Sequence, residues 1–252
     1  MAKETGIGMT VTVDNSSDAA KDISNDVNSI TFDTPRGVID VTGLDVASLE
    51  RLAGLADGTV SINGTFNDAA NKSHDVFKDI ATNTALRTVA IAISGQTLTM
   101  EMLFTSYSLN RGADGALLGT VQALSNADPV EWCELLVAKV THSSATDETG
   151  INNTVQTTKG GVGFLQHFSA ASGTVEYDIE DSSDSTNGVD GVWANLLAFS
   201  DVSTPWSQIA QRVEVTGTVE KWVRASTNGT FTTAVFAMAF FRGTDNDRVD
   251  LS

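Results

Sequence analysis

The feature of this sequence that most constrains its fold is the abundance of β-branched residues that alternate with neighbours of opposite polarity. The 252 residues include 31 threonines and 25 valines, which suit a half-buried pleated strand better than a helix interior. Alternation is clearest in the segments 9–13, 59–63, 88–93 and 97–104. The pattern predicts a mainly β protein built from packed antiparallel sheets.

Charge limits the classes of partner. The chain carries 15 basic and 32 acidic side chains, for a net charge of −17. Tight binding to nucleic acid depends on lysines and arginines that neutralise phosphates, and no basic cluster occurs here. The longest apolar run, 234–241, is far shorter than the roughly 20 residues of a membrane-spanning helix. We therefore expect neither tight binding of nucleic acid nor membrane insertion.

Residues that could support catalysis are few and scattered. The three histidines, His74, His142 and His167, are far apart in sequence, and Cys133 is the single cysteine. A zinc site needs three or four nitrogen or sulfur ligands, and no nucleophile elbow or phosphate-binding glycine motif is present. We expect no catalytic residues, no metal, no cofactor and no enzyme activity. The oxygen-rich loop 181–191 leaves calcium open as an alternative, although it does not match EF-hand spacing.

A proline-containing segment and a polar, loop-like segment divide the chain into two units. The segment 128–132 contains a proline that interrupts strand pairing, and 142–161 is polar and loop-like. We assign 1–142 to a first β domain and 143–252 to a small C-terminal β-sandwich. Short helices are predicted at 45–54 and 73–80. A tight hairpin is predicted around Gly217, and the run 234–241, apolar on both faces, is expected in the middle of a sheet, with a subunit contact as the alternative.

The first unit resembles the major tail (tail tube) protein of long-tailed bacteriophages with non-contractile tails. The resemblance rests on the order of elements over residues 1–132: the strand Thr59–Asn67, the short helix Ser73–Ile80, the strand Arg87–Ile93, and the long hairpin strand that ends in Phe104–Gly115. The second unit looks like the small β-sandwich modules appended to many phage tail proteins, especially over Gln211–Arg224.

The resemblance implies a fold and an assembly. The first unit would form two packed antiparallel sheets with a short flanking helix, and six copies would form a ring. Rings would stack into a tube that conducts DNA without binding it tightly. Further partners would be the tape measure, tail terminator and distal tail proteins. The location would be the virion tail, with synthesis and assembly in the host cytoplasm, and the second unit would lie outside the tube.

Two sets of residues carry specific expectations within this picture. Polar side chains that alternate with core residues are predicted to line the channel: Thr59, Ser61, Asn63, Thr97, Thr99 and Glu101. The segment 14–42 is the candidate arm between adjacent rings, with an ordinary surface hairpin as the alternative. Its contact residues are predicted to be Asn25, Asn28, Ile30, Phe32, Pro35 and Arg36.

A different class of function stays open at this stage. The chain could be a non-catalytic adhesin or a capsid-decorating protein that binds surface carbohydrate. Aromatic side chains that could stack on sugar rings lie in the second unit: Tyr177, Trp193, Trp206 and Trp222. Aromatic residues of a sandwich pack in its core more often than they form such a face.

Overall fold

The computed structural model describes residues 8–126, 128–203 and 208–243, and within them the regular secondary structure is almost entirely β-strand, which confirms the mainly β fold. The elements up to residue 125 are β1 (Thr10–Asp14), β2 (Ala20–Asp22), β3 (Val27–Asp33), β4 (Arg36–Asp40), β5 (Arg51–Ala56), β6 (Thr59–Thr65), the helix α1 (Ser73–Phe77), β7 (Arg87–Ile93), β8 (Gln96–Arg111) and β9 (Leu117–Ser125). The later strands are β10 (Glu131–His142), β11 (Thr146–Asp147), β12 (Ile151–Asn152), β13 (Gly161–Ala170), β14 (Gly173–Ser182), β15 (Ala194–Ala198), β16 (Val202–Ser203), β17 (Ile209–Val215), β18 (Trp222–Phe231) and β19 (Ala234–Arg242).

The long strand β8 organises the first half of the molecule. Its first part pairs with β7, which continues into β1 and β2, and its second part pairs with β9, which continues into β6 and β3. The two parts of the sheet pack on each other and on α1, since apolar side chains from both meet in one core. The central members of that core are Val13, Ile62, Phe77, Met100 and Phe104.

Strand β10 connects the two halves of the chain. It pairs with β8 through Glu131–Glu134 and with β19 through Glu134–His142. β19 pairs with β13, and β13 pairs with β17, so one sheet continues from β2 to β17. This sheet curls until its two ends meet. At the meeting point, the amide of Ala210 on β17 donates to the carbonyl of Asp18, just before β2, at 2.6 Å.

The C-terminal half of the chain, together with β10, forms a β-sandwich. β18 and β14 form the centre of a second sheet, which packs on β10, β19 and β13. Its core contains Leu165, Tyr177 and Phe236, all fully buried. The apolar strand β19 lies between β10 and β13, which confirms the prediction that it occupies the middle of a sheet.

Two local predictions are wrong. The segment 45–54 is not a helix, because residues 51–56 form β5 and pair with β4. A run of ten residues with apolar spacing is a weak helix signal, and backbone pairing overrides it. The turn at Gly217 does not close a hairpin, since β17 pairs with β13 while β18 belongs to the other sheet. The second predicted helix forms, but α1 ends at Phe77 and only turns follow it up to residue 82.

Candidate functional surfaces

One group of predicted channel residues lies on the outer side of a sheet. Thr59, Ser61 and Asn63 alternate along β6 with the buried residues Val60 and Ile62. All three are partly exposed. β6 lies between β3 and β9, so its outward side chains stand at the centre of a four-stranded surface.

Hydrogen bonds across the strands hold this surface together. The amide of Gln122 donates to the hydroxyl of Ser61 at 2.8 Å, and the hydroxyl of Thr120 donates to the amide oxygen of Asn63 at the same distance. The strand register places only uncharged polar residues in the two central rows. We name this surface the polar face, and it consists of Ser29, Thr31, Thr59, Ser61, Asn63, Ser106, Ser108, Thr120 and Gln122.

The other predicted channel residues lie elsewhere. Thr97 and Thr99 are 2% and 0% exposed, because the second half of the chain covers this side of β8. A side chain without solvent-accessible surface cannot line a water-filled channel, so the expectation is corrected for these two threonines. Alternation along β8 identified the correct face of the strand, but it gave no information about the sheet that packs on that face.

The strands β2, β1, β7 and β8 pack on the facing strands β13, β17 and β19, and we call this contact the seam. β10 runs from one side of the seam to the other, since Glu131 pairs beside β8 and Lys139 lies in the part that pairs with β19. Polar contacts cross it. The hydroxyl of Thr12 donates to the side-chain oxygen of Gln166 at 2.5 Å, and Arg212 pairs with Glu131 at 3.1 Å. The ammonium of Lys139 pairs with Asp22 at 2.7 Å.

Glu101, the last of the predicted channel residues, lies at one end of the seam. Its carboxylate accepts a hydrogen bond from the hydroxyl of Thr88 at 2.6 Å, and Asp14 stands opposite Thr88 on the next strand. Burial raises the pKa of Asp14 well above its usual value, and the nearby carboxylates of Glu101 and Asp18 raise it further. Burial also raises the pKa of Glu101. The seam therefore contains carboxyl groups that bind protons more readily than free ones.

The most exposed apolar surface lies on the hairpin formed by β4 and β5, which we name the ribbon. Among the described residues its strands pair only with each other. Leu44 and Leu55 are 109% and 82% exposed. The exposed aliphatic residues of the ribbon are Val38, Ile39, Val41, Leu44, Val46, Leu49, Leu52 and Leu55. Single exposed apolar side chains are normal on a protein surface, but eight on one hairpin make it a candidate interaction surface.

The predicted arm residues extend from just before β3 to the first residue of the ribbon. Ile30 and Phe32 lie on β3 and pack on the core of the first half, while Arg36 begins the ribbon itself. Asn25 and Asn28 are exposed near the start of β3, and Pro35 is exposed just before β4. The prediction missed residues 43–56, which form the tip and the second strand, because 45–54 was interpreted as a helix.

A second exposed apolar patch lies at the far end of the β8–β9 hairpin. Leu109, Leu117 and Leu118 are all exposed there. The tight turn that closes this hairpin has the geometry expected from its sequence, since the amide of Gly112 donates to the carbonyl of Ala116 at 2.8 Å. This end of the hairpin is a second candidate contact surface.

The histidines occupy three separate sites. His74 lies 3.2 Å from the hydroxyl of Tyr107, and His142 lies 2.8 Å from the carboxylate of Glu148. His167 is fully buried beside the hydroxyl of Tyr177 at 2.7 Å, and burial lowers the pKa of its imidazole to about 4. Within the described ranges, no three His, Cys, Asp or Glu side chains are placed to hold a metal ion.

The loop considered for calcium is closed by its own hydrogen bonds. Asp190 accepts from the hydroxyls of Ser185 and Thr186 at 3.0 and 2.6 Å. Asp184 accepts from the amide of Val192 at 2.9 Å. These carboxylates therefore cap the turns of the loop.

Three of the four aromatic residues considered for sugar binding have contacts within the protein. Tyr177 is fully buried in the sandwich core. Trp193 packs against Gly150 on one side and has the guanidinium of Arg224 4.3 Å from its ring centroid. Trp222 is buried, and Trp206 lies outside the described residues.

No helix among the described residues is long and apolar enough to cross a membrane.

Neither a family model nor a curated protein matches the chain. Among solved structures, the chain is similar to a protein in the tail of an empty gene transfer agent particle refined with C6 symmetry, with 17% identity and a TM-score of 0.45 over 50% of this chain and 96% of that one. It is also similar to the Dit protein of phage SPP1, with 12% identity and a TM-score of 0.32 over 93% and 99%. A third similar structure belongs to the baseplate of phage P2, with 8% identity and a TM-score of 0.37 over 95% and 99%. These similar structures are components of phage tails, baseplates and gene transfer agent particles.

Proposed function

We propose that this chain is a structural subunit of a phage tail tube. Copies of the chain form hexameric rings, the rings stack, and genomic DNA passes through the channel without tight binding. The protein is made and assembled in the host cytoplasm and ends in the virion tail. Its other partners are the tape measure, tail terminator and distal tail proteins.

The observation that carries this proposal is the ribbon. A two-stranded hairpin is marginal in water on its own, and this one exposes eight large aliphatic side chains. Full burial of one such side chain contributes about 1.5–3 kcal/mol. A second copy of the same chain is the partner that an open-ended stack provides at every ring, because a head-to-tail contact repeats with each added subunit.

The polar face supports the choice of the channel wall. A DNA duplex carries one negative charge per roughly 1.7 Å of its axis, so a basic wall would hold it and a strongly acidic wall would repel it. The central rows of the polar face contain only Ser, Thr, Asn and Gln. In a chain of net charge −17, this neutral surface is suited to a passage through which DNA slides. We assign Thr59, Ser61 and Asn63 to the wall, and we place the unit 143–252 outside it.

Electron microscopy of the purified protein tests the proposal. We expect rings or hollow rods of uniform width, with a density map that places Ser61 and Asn63 on the inner wall. Only compact single chains at every concentration, even with preformed tube as seed, would contradict the assembly. A map with the polar face on the outer surface would contradict the channel assignment while leaving the assembly intact.

A further inference from the structure

A cavity lies within the seam, between the two parts of the curled sheet. It measures about 70 Å³, counted as the space that the centres of water molecules can occupy. Small side chains on both sides leave this space open: Ala90 and Ala92 face it from β7, and Ala237 and Ala239 from β19. One water molecule needs roughly 10–15 Å³ of such space, so the cavity has room for several.

Two buried polar atoms line this cavity without a hydrogen-bond partner among the described residues. They are the side-chain nitrogen of Gln166 and the hydroxyl oxygen of Thr97. The side-chain oxygen of Gln166 accepts from the hydroxyl of Thr12, and the two N–H donors of the same amide have no partner among the described residues. Leaving a buried donor unpaired costs about 1–3 kcal/mol.

The chemistry of the lining selects the occupant. An entirely apolar cavity stays dry and takes up benzene or xenon, whereas a buried water typically makes two to four hydrogen bonds to polar groups. This cavity offers the amide donors of Gln166 and the hydroxyl of Thr97 from opposite sides of the seam. Both side chains are more than nine-tenths buried, and Lys139 and Asp22 stand among the lining residues with their ion pair.

We propose that the seam cavity is a binding site for a small cluster of ordered water molecules, which link Gln166 of the second half to Thr97 of the first. The water completes the hydrogen bonding of both side chains and fills the gap left by the four alanines. The seam is thus a hydrated contact. This inference does not depend on the function proposed above.

Water relaxation dispersion on the full chain tests this proposal, because it counts water molecules with long residence times. We expect long-lived water in the wild type and the loss of at least one such molecule in the double variant Thr97→Val, Gln166→Leu. The matched control is Thr31→Val, which removes an exposed hydroxyl on β3 and should leave the count unchanged. Wild-type protein without long-lived internal water would overturn the proposal.

Benzene provides an independent readout. It should leave the melting temperature of the wild type unchanged and raise that of the double variant, whose cavity has lost the two side chains that bind the water. A benzene-induced rise in the wild type would show a dry cavity and overturn the proposal. Release of one organic molecule per chain from the denatured wild-type protein would also overturn the proposal, because that molecule and not water would then occupy the cavity. If the double variant does not fold, the wild-type water count and benzene titration still decide the question.

Discussion

The ribbon and the seam invert the usual distribution of residues between surface and interior. The ribbon exposes eight aliphatic side chains to solvent, whereas the seam buries Thr97, Thr99, Gln166 and a carboxyl group of Asp14. Both surfaces are built on β-strands, although four of the ribbon's exposed aliphatic residues, Val41, Leu44, Val46 and Leu49, lie in the loop between β4 and β5. They differ in what covers them, since the seam is covered by another part of the same chain and the ribbon by none of its described residues.

The comparison shows what alternation in a strand can and cannot indicate. It identifies which side chains share a face, because successive residues point to opposite sides of a sheet. It does not identify the surface that packs on that face. A row of polar side chains on one side of a strand can be buried when those groups find hydrogen-bond partners, as Thr12 does with Gln166. An apolar face can remain exposed when its partner is another molecule.

The largest expected effect comes from removing one side of the seam. A chain that stops at residue 142 loses β19, the partner of β10 through Glu134–His142, together with the strands that cover Thr97 and Thr99. We expect this fragment to be insoluble or unfolded, because buried core residues such as Leu136 would face water. Solubility and circular dichroism after expression measure the outcome.

A split chain is the matched control. Co-expression of 1–142 with 143–252 breaks the backbone in a stretch where residues 143–147 are all exposed. We expect the two pieces to associate through the seam and recover the fold. A fragment 1–142 that folds and polymerises alone would show that the second unit is dispensable, as a purely ornamental outer module would be.

The second expected effect concerns the ribbon and should appear only in assembly. The double variant Leu44→Asp, Leu55→Asp replaces two solvent-facing side chains, so the melting temperature of the free subunit should not change. Loss of two buried leucines would weaken each contact between subunits by about 3–6 kcal/mol, which is at least a hundredfold in association. We expect soluble subunits and no rods in electron micrographs.

The control for the ribbon is the double variant Val189→Asp, Val192→Asp. These valines are also exposed, and they lie on a loop of the second half that the proposal places outside the tube. This variant should form rods as the wild type does. If the ribbon variant still formed full-length rods, the ribbon would be an ordinary surface hairpin.

The same contrast explains how far the sequence predicted this molecule. The β class, the long β8–β9 hairpin, the helix that begins at Ser73 and the central position of β19 follow from local patterns, and the structure confirms them. The seam could not be predicted in this way, because it joins residues as distant as Thr12 and Gln166. The tip and second strand of the ribbon were missed for another reason: Val46, Leu49 and Leu52 are spaced as in a helix, and only pairing with β4 reveals the strand.

The third and smallest expected effect concerns Asp14, which is 2% exposed and has one carboxylate oxygen without a hydrogen-bond partner in the described chain. Burial and the carboxylates of Glu101 and Asp18 raise its pKa, while Arg87 and the amide of Thr88 oppose the shift. A carboxyl group with a raised pKa destabilises the fold as the pH rises from its unfolded value of 3.8 through its folded value, because the unfolded chain releases the proton first. Asp14→Asn removes this effect.

We expect Asp14→Asn to melt at a higher temperature than the wild type at pH 7, by about 2–4 °C for each kcal/mol regained. The difference should vanish below the unfolded pKa, where Asp14 is protonated in both states. The exposed residue Asp33 supplies the control, and Asp33→Asn should not change the melting temperature at pH 7. A lower melting temperature for Asp14→Asn at pH 7 would mean that the charged carboxylate stabilises the seam, as a buried ion pair would. Asp14 would then resemble Glu131, whose carboxylate is buried in the seam and pairs with the guanidinium of Arg212.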